Sequence, residues 1–159
     1  MANTYTQIYV QLIFSVKRRE NLISEEIREA VQKYICGIIK KKKSKPMAIY
    51  CNPDHTHILI SLHPAISISE IVSSIKSNSA KWINEQKLTS ARFQWQSGFG
   101  AFSYSKSQVA RVIDYILNQR EHHKKKKFRD EFLGILNKRQ VEYREDYLFD
   151  WIDDSPKDP

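Results

Sequence analysis

Four glycines and five prolines in 159 residues leave little material for long flexible linkers. No apolar run approaches the roughly 18 residues that a bilayer-crossing helix needs. The start, Met1-Ala2-Asn3-Thr4-Tyr5, lacks the basic-then-apolar order of a secretory leader, so a cytoplasmic location is expected. Cysteine is scarce as well: Cys36 and Cys51 stand without CxxC spacing and are expected to pack as small apolar groups in a reducing compartment. There is no phosphate-binding P-loop pattern and no internal repeat. Negative charge is also in short supply. Against 18 Asp and Glu stand 26 Lys and Arg, a formal net charge of +8. Such an excess draws polyanions and makes nucleic acid the default partner. With 41% hydrophobic residues, the composition is that of a folded chain with one core. A single domain over 1–150 is expected, followed by an acidic tail over 151–159 that frays.

Hydrophobic periodicity divides the chain. Thr4 to Val16 reads as a strand, with Ile8, Val10, Leu12 and Phe14 on one face and Gln7, Tyr9 and Gln11 on the other. Ser24 is placed to cap a helix whose apolar stripe is Ile27, Val31, Tyr34, Ile35, Ile38 and Ile39. Met47 to Cys51 and His55 to Leu62 form a hairpin around the turn residues Asn52-Pro53-Asp54. Ser67 and Glu70 form a capping box for a second helix, which buries Ile71, Val72, Ile75, Trp82 and Ile83. Phe93 to Phe102 reads as a strand interrupted by Gly98 and Gly100, at a bulge or a close backbone approach. A third helix begins near Ser107 and runs past Gln119, and a fourth covers Phe128 to Leu136. The order predicts an α+β fold: a ferredoxin-like, split βαβ antiparallel sheet with additional C-terminal helices. Helices cover one face of the sheet, and the other is open or covered by the added elements.

Two local patterns bear on chemistry. His55 and His57 open the third strand, and alternation sends both imidazoles to one face, the polar one, while Thr56, Ile58, Ile60 and Leu62 enter the core. Two neutral imidazoles side by side can hold a divalent ion, although such a pair alone is a weak signal. Tyr115 and Gln119 lie one helical turn apart, at the flank of the stripe Val109, Val112, Ile113 and Ile116. A helical tyrosine is usually packing, but a Gln one turn on adds a carbonyl oxygen suited to be a third ligand. Together these suggest metal-assisted attack of a tyrosine oxygen on a phosphodiester, with a covalent phosphotyrosine that stores the bond for rejoining. The sequence names no base to deprotonate the phenol. Tyr104 lies nearby but lacks a Gln one turn on, which favours Tyr115. Arg111, Arg120 and His122 are near enough to meet phosphates. The basic clusters Lys40, Lys41, Lys42 and Lys43, with Lys45, and Lys124, Lys125, Lys126 and Lys127 are candidate DNA-backbone contacts or solvated helix ends.

Pro53-Asp54-His55-Thr56-His57-Ile58-Leu59-Ile60 resembles the HUH motif of IS200/IS605-type Y1 transposases, a family that includes the REP-associated tyrosine transposases. Tyr115-Ile116-Leu117-Asn118-Gln119 resembles their catalytic-tyrosine helix, and the likeness runs from about Tyr5 to about Tyr147. The resemblance implies a homodimer acting on single-stranded DNA at hairpins, with the tyrosine joined to a 5′ phosphate and a 3′ hydroxyl freed. It implies Mg²⁺ or Mn²⁺ held by His55, His57 and Gln119, and composite sites in which the tyrosine helix meets the partner's histidines. One departure is Thr56, where the family carries a bulky apolar residue; Thr suits a strand, but its hydroxyl needs a partner if buried.

Two other functions fit the same residues. A binding module would hold structured DNA or RNA on this fold without cutting it. A hydrolase would use the metal to activate water and would call on a carboxylate, for which Asp54 and Asp114 are the candidates.

Overall fold

A computed structural model describes residues 4–121 and 127–142. Lys124, Lys125 and Lys126, His122 and the acidic tail lie outside the described residues. The chain runs β1 (Tyr9–Ser15), a 3₁₀ turn (Lys17–Arg19), α1 (Glu25–Lys41), β2 (Lys45–Cys51), β3 (His55–Ser61), α2 (Ile68–Glu85), β4 (Gly100–Tyr104), a second 3₁₀ turn (Lys106–Gln108), α3 (Val109–Leu117) and α4 (Phe128–Lys138). The four strands form one sheet in the order β2-β3-β1-β4. Every pairing is antiparallel, with Ser15 opposite His55 and Cys51 opposite Thr56. This is the split βαβ arrangement that the element order predicts.

Alternation along the strands builds two interiors. Val10, Leu12 and Phe14 of β1 and Ile58 and Ile60 of β3 pack with Val31, Ile35 and Ile39 of α1 and Ile71, Ile75 and Ile83 of α2. Each such fully buried side chain contributes about 1.5–3 kcal/mol. The opposite face is not open. Tyr9 and Leu59 meet Val109, Val112 and Ile116 of α3, while Ile13 and Phe102 meet Phe128, Phe132 and Leu136 of α4. The added helices therefore roof the face that carries the histidines. Among the described residues no helix is long and apolar enough to cross a membrane.

Three expectations change. The strand over Phe93 to Phe102 shrinks to Gly100–Tyr104. Asn84 explains the loss: its side chain accepts from the Phe93 amide at 2.8 Å and donates to the Phe93 carbonyl at 3.0 Å, so the ladder partners of that residue are already taken. Of this segment only Trp95 keeps a strand bridge, to Val16. Gly98 adopts a φ of 90°, and a Cβ at Gly100 would come within 2.9 Å of the Phe132 ring, the close approach that the glycines suggest. The capping box is half made. The Ser67 hydroxyl accepts from the Glu70 amide, but the Glu70 carboxylate turns to Lys42 at 3.3 Å. The third helix is also not continuous through Gln119: α3 ends at Leu117, Asn118 leaves helical geometry, and Gln119 begins a new helical turn.

Candidate active site

β3 begins immediately after the Asn52-Pro53-Asp54 turn, so its first three residues sit at a sheet end beneath α4. His55 and His57 share a face, as alternation requires, with ring centroids 5.3 Å apart. Of the two states expected for that polar face, open or covered by the added elements, the structure has the second: the histidines are 1% and 0% exposed. The cause is α4: Phe128 stacks flat on His55 at 3.8 Å, and Glu131, one turn on, brings its Oε1 to 2.8 Å from His57 Nε2. Thr56 points to the other side and is fully buried against the Cys51 thiol; its hydroxyl has no nitrogen or oxygen partner among the described residues. Burial pushes the Cys51 thiol up to about 12, consistent with a packing role.

The imidazoles are oriented by a buried polar set. His55 Nδ1 lies 2.7 Å from Asp54 Oδ1, so the proton belongs on Nδ1 and the Nε2 lone pair faces the site. Asp54 is gripped in turn by Arg19, whose Nη2 lies 2.9 Å away. Burial alone would raise the Asp54 carboxyl, but the hydrogen bonds and charges of His55 and Arg19 outweigh it and hold the group at about 2. His57 Nδ1 meets the Gln11 amide nitrogen at 3.0 Å, and the Tyr104 hydroxyl donates to Gln11 Oε1 at 2.8 Å. A half-turn of that amide exchanges donor and acceptor, so Gln11 can serve either His57 tautomer.

Gln119 is fully buried and comes to the same place from beyond the Asn118 break. One donor, the Asn52 amide, reaches both His55 Nε2 at 3.1 Å and Gln119 Oε1 at 3.3 Å. Lone pairs from two elements thus face a single donor nitrogen. His57 Nε2 is buried, and the polar atom beside it is Glu131 Oε1 at 2.8 Å. His55, His57 and Glu131 offer ligand atoms that all lie within 4.8 Å of one another. This donor set, nitrogen and oxygen with one carboxylate, fits a divalent ion.

Tyr115 is half-buried, its ring 5.9 Å from that of His57 at 81°. Burial, then the charge of Glu131 and a hydrogen bond to it, push its phenol well above the usual range; a hydrogen bond to Gln119 opposes them. The phenol opens on a cleft of about 470 Å³ lined by Tyr104, Arg111, Glu131, Lys138 and Arg139. Of the basic candidates, Arg111 lines this cleft, exposed. Arg120 pairs with Glu25 of α1 at 3.1 Å. Lys127 is exposed at the start of α4. Lys40, Lys41, Lys42 and Lys43 sit at the opposite end of β2 from the histidines, roughly 20 Å away for a strand of this length, and are not part of the site.

Sequence reasoning missed Glu131, Asn52, Gln11, Lys138 and Arg139. Asn52 was legible only as a turn residue. Glu131 did leave a signal: in Phe128-Arg129-Asp130-Glu131-Phe132 a carboxylate stands on the same helical face as two phenylalanines, where burial is expensive without a partner. Asp114, the other carboxylate weighed for hydrolysis, is exposed on α3.

An HxH pair, a tyrosine and a glutamine thus stand together on a ferredoxin-like sheet, as the resemblance to the Y1 transposases implies. Residues 4–119 match the family described as "Transposase IS200 like", and the chain belongs to that family. It is 26% identical over 130 residues to the transposase for insertion sequence element IS200 of Salmonella typhimurium, covering 78% of this chain and 84% of the relative. To the ISDra2 transposase TnpA of Deinococcus radiodurans it is 23% identical over 121 residues, covering 72% and 86%. The fold is shared with a Deinococcus radiodurans R1 protein assigned as a transposase, with a TM-score of 0.59, 19% identity, and 75% and 95% coverage. It is shared also with a REP-associated tyrosine transposase bound to a REP hairpin, with a TM-score of 0.58, 16% identity, and 77% and 73% coverage.

Proposed function

We propose that this transposase cuts and rejoins single-stranded DNA at hairpins in the cytoplasm, with Tyr115 as nucleophile and His55, His57 and Gln119 holding Mg²⁺ or Mn²⁺. The observation that carries the reading is the convergence of His55 Nε2, Gln119 Oε1 and the Tyr115 ring on one buried corner beside His57. Family membership and the hairpin-bound fold relative support the substrate class. The metal, when bound, supplies a Lewis acid for the phosphoryl oxygen.

The chain's residues supply the rest. The strand enters by the basic cleft, where Arg111, Lys138 and Arg139 meet the phosphates on either side of the scissile bond. The Tyr115 oxygen attacks phosphorus as its proton leaves to solvent through the cleft. The bond from phosphorus to the 3′ oxygen breaks, the 3′ oxygen takes up a proton as a free hydroxyl, and the 5′ phosphate stays on Tyr115. Attack by a 3′ hydroxyl reverses these events and releases the tyrosine, so no nucleotide cofactor is consumed. Asp54 and Arg19 keep His55 in its ligand tautomer throughout. Homodimerisation with composite sites is carried over from the family resemblance; within a single chain His55, His57, Tyr115, Gln119 and Glu131 already lie together.

A labelled hairpin oligonucleotide with a single-stranded flank, incubated with Mg²⁺ and run on a denaturing gel, tests the reading. A covalent protein–DNA band that disappears in Tyr115→Phe is expected. Cleaved product that persists in that variant would point to metal hydrolysis, and retention without cleavage to a binding module.

A further inference from the structure

We propose that Glu131 is itself a metal ligand, so that the site is a four-residue set, His55, His57, Gln119 and Glu131, with one built-in negative charge. The inference rests on the metal reading above and goes beyond its three ligands.

Charge balance is the first argument. Two imidazoles and an amide are neutral donors, and a dication held by them alone in a buried site would lack any compensating anion. Among the described residues only two carboxylates are buried, Asp54 and Glu131. Asp54 is committed to Arg19 and to the outer nitrogen of His55, facing away from the site. Glu131 faces into it, with Oε1 2.8 Å from His57 Nε2.

Spacing is the second argument. Ligand atoms about 2.1 Å from a six-coordinate ion lie about 3 Å apart when adjacent and about 4.2 Å when opposite. The ligand atoms of His55, His57 and Glu131 lie within 4.8 Å of one another, close to that footprint. Contact between Glu131 and the otherwise unmatched His57 Nε2 is what two ligands of one ion present.

Position is the third argument. Glu131 is held from both sides on α4, by Phe128 on His55 and by Phe132 against Gly100. The same helical turn therefore seats one imidazole and delivers the carboxylate to the other. A hard oxygen anion in the set also favours Mg²⁺ or Mn²⁺ over softer ions.

Mn²⁺ binding to the full chain, followed by electron paramagnetic resonance and by calorimetry without DNA, reads this directly. In Glu131→Gln, an isosteric change, affinity is expected to fall by about tenfold or more. Glu131→Asp, charged but shorter, is expected to fall in between, and it serves if the amide variant does not fold. His57→Ala should abolish binding. If His57→Ala abolishes binding while Glu131→Gln matches wild type within about twofold, Glu131 is no ligand and the metal reading stands. Tighter binding in Glu131→Gln would make the carboxylate a competitor for the ion's place and overturn the proposal. No Mn²⁺ binding by wild type would remove both.

Discussion

The Phe128 ring lies nearly parallel to the His55 imidazole, with centroids 3.8 Å apart and planes inclined by 14°. The stack ties a core side chain of α4 to the orientation of a candidate ligand, so packing and chemistry share one contact. Phe128→Ala is expected to cost about 3–5 kcal/mol in urea unfolding, because a fully packed aromatic leaves a cavity. Phe128→Leu should recover part of the stability without restoring the flat stack. Loss of divalent-ion affinity in the Leu variant, out of proportion to its stability, would separate the two roles. Equal affinity in Leu and wild type would show that the stack is packing alone.

Asp54 carries the clearest pH signature. Its folded pKa of about 2 lies below the ordinary value near 4, so the folded state holds the ionised form more firmly than the unfolded chain does. The stabilisation is therefore complete above about pH 5 and is lost as pH falls through 4 toward 2. The size is about 2 kcal/mol for a shift of this extent. Urea titrations at intervals from pH 7 to pH 2 should show the gap between wild type and Asp54→Asn shrinking over that window. A gap that stays constant to pH 2 would contradict the pairing of Asp54 with Arg19 and His55.

The phenol of Tyr115 moves the other way. Burial and then Glu131 raise it, so without metal it stays protonated well past the pH at which an exposed tyrosine ionises. In a spectrophotometric titration of the metal-free protein, the difference between wild type and Tyr115→Phe should appear only at the alkaline end. Glu131→Gln removes the neighbouring negative charge and should bring that transition down. An unchanged transition would mean that burial alone sets it.

Tyr104 supplies a control for the nucleophile. Its hydroxyl reaches Gln11 and not the corner where His55 and Gln119 converge. Tyr104→Phe should keep the covalent adduct with DNA, while loosening Gln11 and weakening divalent-ion binding by less than about tenfold. Disappearance of the adduct in Tyr104→Phe and its survival in Tyr115→Phe would reverse the assignment.

Cleft charge and remote charge should differ in solution. Neutralising Arg111 or Lys138 is expected to lower the slope of log affinity for single-stranded DNA against log salt by about 1 each. The Lys40 to Lys43 cluster, at the far end of the sheet, should leave strand cleavage of a short oligonucleotide unchanged when neutralised. A cleavage defect there would bring that end of the sheet into the substrate path.

Much of this organisation is legible in the residues themselves. Alternation in β1 and β3 set which side chains face α1 and α2, and the turn at Asn52-Pro53-Asp54 placed His55 and His57 at a strand end. What pattern alone could not reach was long-range. Periodicity assigns a face but not its roof, so the burial of both histidines under α4 was invisible. The Asn84 side chain, nine residues away, cancels a strand that the aromatic run around Trp95 favours. Glu131 is charged and lies in a basic stretch, so helix statistics place it in solvent; only its contact with His57, 74 positions earlier in the chain, assigns it a role.

His55, His57, Tyr115, Gln119 and Glu131 all come from one chain. In genetic terms, whether this set works within one subunit or across two is a question of complementation. Two alleles, one lacking His57 and the other lacking Tyr115, have no parts to exchange if each chain uses its own set, and they should then fail to complement when expressed together. Restored activity in the mixture would show composite sites built from two subunits, the arrangement that the family resemblance implies.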